Sequence, residues 1–369
     1  LDRHKIELVA WLVEHHLVMS DYAQKRDVSD PDTVAAFARI VENPERLRLL
    51  LVLTVADIRA VGPGVWNGWK GQLMRELYAA TETVFRGGRT SDAAGIARRR
   101  QEAIAYDARI TLVAQNPAAR DWATAMEDAY FVAFPPEEQK AHQALSERAR
   151  RTGAAAEARV RVDRNAAEIA VAARDRQGLF ADLALAISSL GGNVVGARIF
   201  TSRVGEALDV FYVQDASGQP FGGDTPRSLT RLTEAVEAAG RGEASSLEPR
   251  RAGDFGKAAA FAISPSVAID NEASREATVI EASGRDRPGL LEALARTISE
   301  AELSILSAHI DGYGERAVDA FYVVTAEGEK LTDSRRGAAV RGRLTDVLEA
   351  SETGPSRTRL PKARASAAR

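Results

Sequence analysis

Cysteine is missing from this 369-residue chain, and so are long apolar runs and a strong charge imbalance. Without cysteine there are no disulfide bonds and no thiol catalysis, so a reducing cytoplasm is the expected compartment. No apolar run reaches the roughly 20 residues of a membrane-spanning helix, and no segment has the pattern of a signal peptide. The 49 basic and 52 acidic residues leave a net charge of −3, which argues against a general nucleic-acid binder. We therefore expect a cytoplasmic protein that has no membrane or nucleic-acid partner.

An initiator methionine is missing too, because the chain starts with Leu1 inside a pattern typical of a helix. We therefore expect it to be the C-terminal part of a longer protein. Its length exceeds that of one typical core and predicts two or three domains. Its 45% of hydrophobic and 27% of charged residues are ordinary for a globular protein.

Residues 1–150 show the hydrophobic periodicity of helices and no alternating strand pattern. Asp30 followed by Pro31 is a good helix start, since Pro fits the first helical turn. Between Arg46 and Ile58, apolar residues occur nearly all round the helix, so we expect that helix to be central and buried. Residues 148–164 are interpreted as a charged, alanine-rich connector.

The rest of the chain contains an internal repeat. The matching segments are Asp175–Leu179 and Asp286–Leu290, Asn193–Ile199 and Ser304–Ile310, and Asp209–Val213 and Asp319–Val323. The offset between the copies is constant for the first two pairs and drops by one residue for the third. A duplicated domain with one shortened hairpin turn would leave this pattern, and a repeat outranks any local motif as evidence for organisation.

Each copy predicts the element order β-α-β-β-α-β, which is that of a ferredoxin-like unit. We place the copies at residues 166–270 and 277–350. The fourth strand of the first copy is expected within Phe261–Ile269, and that of the second copy is weak or absent. Residues 351–369 are basic and predict a disordered tail. The predicted fold class is therefore α+β.

The repeated loop is a candidate binding site for an anion. In each copy a strand ends at an aspartate, Asp175 or Asp286, and a glycine, Gly178 or Gly289, opens the next helix. Free backbone N–H groups at a helix N-terminus favour a carboxylate, and glycine lets a ligand come close to the backbone. On the loop alone, the simpler interpretation is that Gly and Pro shape a tight turn.

Several motifs resemble known families. Asp286–Leu291 after a strand, followed by a helix and the strand Leu303–Ile310, resembles the ACT domain, a small-molecule regulatory module that often senses amino acids. Two copies, with Ile269–Ser274 just before the second, resemble the bifunctional uridylyltransferase/uridylyl-removing enzymes of bacterial nitrogen regulation. The segments Trp11–Ser20 and Leu53–Lys70 are similar to signatures of that family's HD-type hydrolase domain. The resemblance spans nearly the whole chain.

The resemblance implies a truncated helical HD-type hydrolase domain, residues 1–150, followed by two ferredoxin-like ACT domains. The parent enzyme would reversibly uridylylate the PII signalling protein. Its HD domain would hydrolyse the UMP–tyrosine phosphodiester of uridylylated PII, with water activated by Mg²⁺ or Mn²⁺. His16 and Asp57 would be the catalytic and metal-binding residues, with His15 as an adjacent alternative. From composition alone, a hydrogen-bonded core histidine and a helix-end carboxylate paired with Arg59 are the better interpretations.

The resemblance also implies that the ACT pair senses glutamine as an allosteric effector. The expected glutamine-binding residues are those of the two loops and of the strands that follow: Asp175, Gly178, Leu179, Asn193, Asp286, Gly289, Leu290 and Ser304. The ligand's carboxylate would meet the loop glycine, and its amide would meet the polar residue of the strand. The first loop has Gln177 where the second has Pro288, and the first strand has the better amide partner. If only one copy binds tightly, we expect it to be the first.

The chain departs from the family's HD pattern, because it contains no adjacent His-Asp pair and lacks the nucleotidyltransferase domain with its paired carboxylates. We therefore expect the chain alone to be inactive. One alternative is a non-catalytic, amino-acid-binding regulator in which the helical part is only a scaffold. A second is an HD-type nucleotide hydrolase fused to ACT domains, as in alarmone enzymes. Those enzymes resemble the chain less, because they carry one ACT domain and lack the Trp66–Trp69 signature.

The remaining histidines favour structural interpretations. His4 and His142 are expected on solvated helix faces. His309 alternates with apolar residues in a predicted strand, which leaves a surface position or one beside a ligand open. None of the three is assigned a chemical role.

Overall fold

The structure is a computed structural model, and it describes residues 2–28, 30–61, 66, 68–87, 93–223, 225–244, 263–287, 289–313 and 316–350. It confirms the predicted α+β class, with a helical first part followed by two four-stranded antiparallel sheets. The tail predicted to be disordered, 351–369, lies outside the described residues. Within the described ranges, no helix combines the length and the apolar character needed to cross a bilayer.

The helical part of the described chain contains nine helices. They are α1 (Arg3–His15), α2 (Val18–Lys25), α3 (Pro31–Val41), α4 (Pro44–Val61), α5 (Gly68–Arg86), α6 (Ala93–Gln115), α7 (Arg120–Ala125), α8 (Asp128–Ala133) and α9 (Pro136–Thr152). Helix α3 starts as predicted: the Asp30 side chain accepts a hydrogen bond from the N–H of Asp32, and Pro31 occupies the first turn. The helices enclose a core that includes Phe37 and Leu77, both fully buried.

Helix α4 is not the central, buried helix that its composition predicted. One face is buried through Leu47, Leu50 and Ile58, but Val52 is 67% exposed and Leu49 is 38% exposed. Its main neighbours in the described part of the chain are α1, α2, α3 and α5. The prediction was wrong because apolar residues all round a helix show what it can bury, and the neighbouring elements decide which faces are covered.

Two units follow the helical part, each with one sheet and two helices. The first unit contains β1 (Ala154–Arg161), β2 (Ala166–Arg174), α10 (Leu179–Ser189), β3 (Asn193–Thr201), β4 (Glu206–Gln214) and α11 (Pro226–Gly240). The second contains β5 (Ser266–Asp270), β6 (Thr278–Arg285), α12 (Leu290–Glu300), β7 (Leu303–Tyr313), β8 (Arg316–Thr325) and α13 (Ser334–Glu349). The strand orders are β1-β2-β4-β3 and β5-β6-β8-β7, so the two sheets have the same topology.

The position of the fourth strand in the chain corrects the prediction. The segment interpreted as a connector, 148–164, contains β1, which pairs antiparallel with β2 and places Ala154 opposite Ala173. Ser266–Asp270, which falls partly within the strand predicted to close the first sheet, pairs with β6 of the second sheet instead. Both units therefore run β-β-α-β-β-α, and strand pairing extends the first unit back to residue 154 and the second back to residue 266. Small alanine side chains in β1 concealed the strand, because alanine also suits a helix.

The first sheet is covered on both faces. Helices α10 and α11 cover one face, where Ile169 and Phe211 are buried. The helical part covers the other face, where Leu208 and Tyr212 pack with Tyr130. Strands β2 and β4 are consequently almost continuously buried. Sequence alternation alone does not reveal this, because a strand buried on both faces has no polar side.

The two units contact each other side by side. The edge strands β3 and β7 lie next to one another, and α10 contacts α12. One hydrophobic core runs through both units and includes Leu183, Ile187, Leu294 and Ile298. The repeated loops therefore lie beside a shared boundary, and a group from one unit can reach a ligand held by the other.

The revised place of β1 predicts opposite effects for two glycine-to-alanine substitutions in helices. At Gly240, the last residue of α11, an added Cβ would lie 2.8 Å from the Cβ of Ala154. We expect Gly240→Ala to lower the free energy of unfolding by about 1–3 kcal/mol, because the added methyl overpacks the contact between α11 and β1. Gly342→Ala in α13 meets nothing within 4 Å, and we expect it to stabilise by up to about 1 kcal/mol through helix propensity. Urea denaturation measures both, and a neutral Gly240→Ala would contradict the packing of β1 against α11.

Candidate functional site

A cavity of about 160 Å³ lies at the boundary between the two units. The first unit contributes its repeated loop and parts of β3 and β4, and the second contributes the end of α12 and the start of β7. The lining residues are Asp175, Arg176, Gln177, Gly178, Leu179, Phe180, Ala181, Ile199, Thr201, Ala207, Asp209, Ala295, Ser299, Leu303, Ser304, Ile305 and Leu306. The volume is smaller than the roughly 300–1,000 Å³ of sites for drug-sized ligands, so the cavity suits a small metabolite.

The loop that forms one wall is held at several points. Gly178 caps α10 with a φ of +79°, a left-handed conformation that glycine adopts without steric cost. The N–H of Asp175 donates to the carbonyl of Gly205 at 2.9 Å. The Gln177 side-chain amide donates to the carbonyl of Ser299 at 2.6 Å, in the other unit. Gln177, which stands where the second copy has Pro288, therefore connects the first loop to the second unit.

The start of α10 presents backbone donors to the cavity. The first intrahelical bond is donated by Asp182 to the carbonyl of Gly178 at 3.0 Å. Phe180 and Ala181 come earlier in the helix than Asp182, so their N–H groups lie before its first intrahelical bond. Both residues line the cavity. Helix N-termini of this kind favour a negatively charged group.

Four of the eight expected ligand-binding residues line this cavity: Asp175, Gly178, Leu179 and Ser304. Ser304 comes from the second unit, so the strand residue beside the first loop belongs to the other copy. Asn193, the polar residue that follows the first loop in sequence, does not line the cavity. The pairing across units follows from the side-by-side contact of β3 and β7, and sequence adjacency could not reveal it.

The other three expected residues belong to the equivalent loop of the second unit. Gly289 caps α12 with a φ of +80°, and Leu290 at the start of the helix is buried. Burial raises the pKa of Asp286, although the backbone and charge of Arg287 oppose the rise. The second loop thus repeats the geometry of the first, and its residues do not line the cavity described above. Pro288 lies outside the described residues.

Two carboxyl groups dominate the charge of the cavity. Burial raises the pKa of Asp175, and the N–H and charge of Arg176 oppose the rise. Asp209 on β4 is only 2% exposed, and burial together with the negative charge of Asp175 raises its pKa well above the usual range. Its Oδ1 has no hydrogen-bond partner in the described part of the chain. We missed Asp209 as a site residue, although a carboxylate repeated in the middle of an otherwise apolar strand was a signal.

The predicted metal residues occupy a different region. His16 follows α1, and its Nδ1 lies 2.8 Å from the carbonyl oxygen of Val13. Helix α4 passes close by, since the Thr54 hydroxyl lies 3.5 Å from the carbonyl oxygen of His16. Asp57, on the next turn of α4, is exposed. The alternative ligand His15 stacks on Trp11 with ring centroids 4.6 Å apart.

These residues do not complete a metal centre. Among the described residues there is no group of three or more His, Asp or Glu side chains that could hold a metal ion. His16 and Asp57 would supply at most two protein ligands, whereas catalytic metal sites use about three or more. The donor set of the described residues therefore does not fit a complete hydrolytic centre.

His142 and His309 are buried, and the predicted solvated position of His142 was wrong. His142 is 3% exposed, its Nδ1 lies 3.1 Å from the Tyr130 hydroxyl, and burial lowers its pKa to about 4. His309 lies on β7 against the Tyr322 ring, and burial lowers its pKa as well. Both side chains sit where the helical part covers a sheet. His4 is exposed, as predicted.

Ion pairs join the helical part to both units. Arg198 on β3 donates to Glu76 on α5 at 2.7 Å and to the carbonyl of Ala133 at 2.6 Å. Arg26, which follows α2, pairs with Glu281 on β6 at 2.8 Å. These contacts connect each sheet to the helices.

Comparison with known proteins gives the same relationship along the whole chain. The bifunctional uridylyltransferase/uridylyl-removing enzyme of Phenylobacterium zucineum is 68% identical over 372 residues, covering 100% of this chain and 40% of that enzyme. The enzymes of Caulobacter vibrioides and Azospirillum brasilense are 66% and 42% identical, covering 100% and 94% of this chain. The chain thus spans about 40% of the length of these relatives.

Other comparisons add little. No protein-family model matches the chain. Among solved structures, an unknown protein from Galdieria sulphuraria is 14% identical and covers 50% of this chain and 92% of its own, with a TM-score of 0.18. That score is too low to support an argument about the fold. The resemblance found in the sequence motifs is nevertheless confirmed by the curated relatives: the chain is homologous along its whole length to the C-terminal 40% of the bifunctional uridylyltransferase/uridylyl-removing enzymes.

Proposed function

We propose that this chain is the effector-sensing part, together with a portion of the hydrolase, of an enzyme that reversibly uridylylates the PII nitrogen-regulatory protein. The observation that carries the proposal is the cavity that the first repeated loop forms with Ser299 and Ser304 of the second unit. A ligand held there contacts both units at once. It can therefore favour one arrangement of the units over another, which is the physical requirement for an allosteric effector.

We propose glutamine as the effector. Its carboxylate would meet the N–H groups of Phe180 and Ala181 at the start of α10. Its side-chain amide would meet the hydroxyl groups on the opposite wall, those of Ser299 and Ser304. The apolar residues of the cavity, including Leu179, would cover its methylene groups. In this proposal the two units have ACT-type folds, and the helical part is the remainder of an HD-type domain.

The effector proposal is tested by isothermal titration calorimetry of L-glutamine against the whole chain. The whole chain is used because β1 precedes the first repeat and completes its sheet. Saturable heat with one or two sites per chain is the expected result. Absence of heat at millimolar glutamine would contradict the sensor proposal.

For the hydrolase, we propose that His16 and Asp57 contribute to a divalent-metal site for which the remaining ligands lie outside this chain. We expect the chain alone to release no UMP from uridylylated PII in the presence of Mg²⁺ or Mn²⁺, because its two candidate ligands are too few. Nucleotide release measured by chromatography checks this. The matched control is the whole enzyme, which should release UMP, and hydrolysis by the chain alone would contradict the proposal.

A second candidate function is a non-catalytic, amino-acid-binding regulator on a helical scaffold. The exposure of Asp57 favours it, because a carboxylate on a solvated helix face needs no cation. Metal titration of the whole enzyme separates the two candidates. A scaffold would show the same metal binding after His16→Ala or Asp57→Ala, whereas a hydrolase would lose affinity.

A further inference from the structure

Asp209 is an unusual lining residue for a cavity of this kind. It lies in the middle of β4, between Val171 of β2 and Ile199 of β3, and its side chain is almost completely buried. Its carboxyl group makes no hydrogen bond within the described part of the chain, and the Oδ1 atom is enclosed without a partner. A buried polar atom without a partner costs free energy, so its presence in a cavity wall points to a ligand that completes it.

The charges around Asp209 define what that ligand must carry. Asp175 lines the same cavity, so two carboxyl groups face one small space. Among the described residues that line it, Arg176 is the only one with a cationic side chain. Its Nη2 is already engaged, by Asp182 of α10 at 2.7 Å and by the carbonyl of Ala239 at 2.9 Å. Arg176 is therefore held by other groups, and although its charge lowers the pKa of Asp175, no cation in the described part of the chain lowers the pKa of Asp209.

We propose that Asp209 is the specificity-determining residue of this cavity, accepting the ammonium group of a free α-amino acid. The inference rests on the proposed effector site and adds the chemical class that the site selects. The ligand's carboxylate lies at the start of α10 and its ammonium group at Asp209, with Asp175 adding a second negative charge. A molecule that has the same carboxylate but no ammonium group leaves the buried carboxyl unpaired, and the site rejects it.

A proton balance accompanies this contact. Burial and the charge of Asp175 favour the protonated form of Asp209. An ammonium ion placed beside it favours the ionised form. Binding then releases a proton, so glutamine affinity rises with pH up to the pKa of Asp209 in the ligand-free chain and falls where the ligand's own ammonium group loses its proton. The charged groups that face the same space are Asp175 and Arg176, and Arg176 is paired with Asp182.

The test uses isothermal titration calorimetry on the whole chain with two probes. One is L-glutamine, and the other is its desamino analogue, in which hydrogen replaces the α-ammonium group. We expect the unmutated chain to bind glutamine at least about 100-fold more tightly than the analogue. In Asp209→Asn, glutamine affinity falls about 10- to 100-fold, and the preference for glutamine over the analogue largely disappears. Titrations in two buffers of different ionisation heat show proton release in the unmutated chain and none in Asp209→Asn.

The chain contains a matched control. Asp319 occupies the equivalent position on β8, opposite Ala282 and Ile310, and is equally buried, but it does not line this cavity. Asp319→Asn therefore makes the same change at the equivalent buried strand position, and glutamine binding at this cavity should keep its affinity and its proton release. The comparison of the two probes on the unmutated chain does not depend on the folding of any variant.

The outcomes separate the two proposals. If glutamine binds but the desamino analogue binds equally well, or if Asp209→Asn leaves glutamine affinity unchanged, Asp209 does not select the ligand, and the effector site still stands. If glutamine gives no heat with the unmutated chain, the effector site itself is wrong and the role of Asp209 falls with it. Loss of binding in both Asp209→Asn and Asp319→Asn would also overturn the specific role, because it would show a general effect on the sheets.

Discussion

Arg198→Met is expected to lower the free energy of unfolding of the chain by about 3 kcal/mol. The Arg198 guanidinium lies between β3 and the helical part, donates to Glu76 and to the carbonyl of Ala133, and lies over the Phe134 ring. Burial raises the pKa of Glu76, but the charge and hydrogen bond of Arg198, with help from Gln72 and Arg164, together outweigh that effect and hold the pKa below its usual value. Removing the arginine leaves a largely buried carboxylate without its cation, which typically costs about 3–5 kcal/mol.

Two variants control this prediction. Arg150→Met breaks the Arg150–Glu206 pair, which has a distance of 2.6 Å but a more exposed arginine, and should cost less than about 1 kcal/mol. The double variant Arg198→Met with Glu76→Leu removes both charges and should recover most of the loss, because an apolar pair replaces the buried ion pair. Urea denaturation of the three proteins measures the differences. Equal losses for Arg198→Met and Arg150→Met would show that the buried position contributes nothing.

Gly178→Val is expected to abolish measurable glutamine binding, which corresponds to a loss of at least about 100-fold in affinity. A β-branched residue at a φ of +79° is strained, at a cost of about 1–3 kcal/mol. An added Cβ would also lie 3.6 Å from the Ser299 hydroxyl, so the valine side chain would reach toward the cavity wall contributed by the second unit. Calorimetric titration with L-glutamine measures the affinity, and thermal unfolding measures the strain.

Gly289→Val is the matched control for this substitution. Its φ of +80° imposes the same backbone strain on the second loop, but Gly289 does not line the cavity. We expect a similar loss of stability with glutamine binding at the first loop retained. If Gly289→Val abolishes binding and Gly178→Val does not, the ligand occupies the second loop instead, contrary to the expectation that the first copy binds more tightly.

The sequence predicted well those features that depend on residues close together in the chain. The Asp30 cap of α3 was found as expected. So were the two loops that lead from a strand into a helix, where Gly178 and Gly289 cap the helices. Each depends on local backbone preferences, which a short segment expresses by itself. The internal repeat likewise predicted two units of the same topology, because related sequences adopt related folds.

Features that depend on distant partners were missed. Strand β1 looked like a connector because its alanines pack only where Gly240 and β2 come close. His142 looked solvated because nothing in its own helix shows that Tyr130 and a sheet would cover it. Helix α4 looked central because its composition does not say which faces its neighbours cover.

The sequence by itself therefore determined the duplicated units, the loop glycines and the relationship to the uridylyltransferase/uridylyl-removing enzymes. Each of these three features can be recognised from continuous segments of the chain. Only the tertiary structure decided that Ser304 of one unit faces Gly178 of the other, and that Asp209 is enclosed beside Asp175. The physical reason is that β3 and β7 meet side by side, so the cavity is assembled from strands about a hundred residues apart whose contact no local pattern encodes.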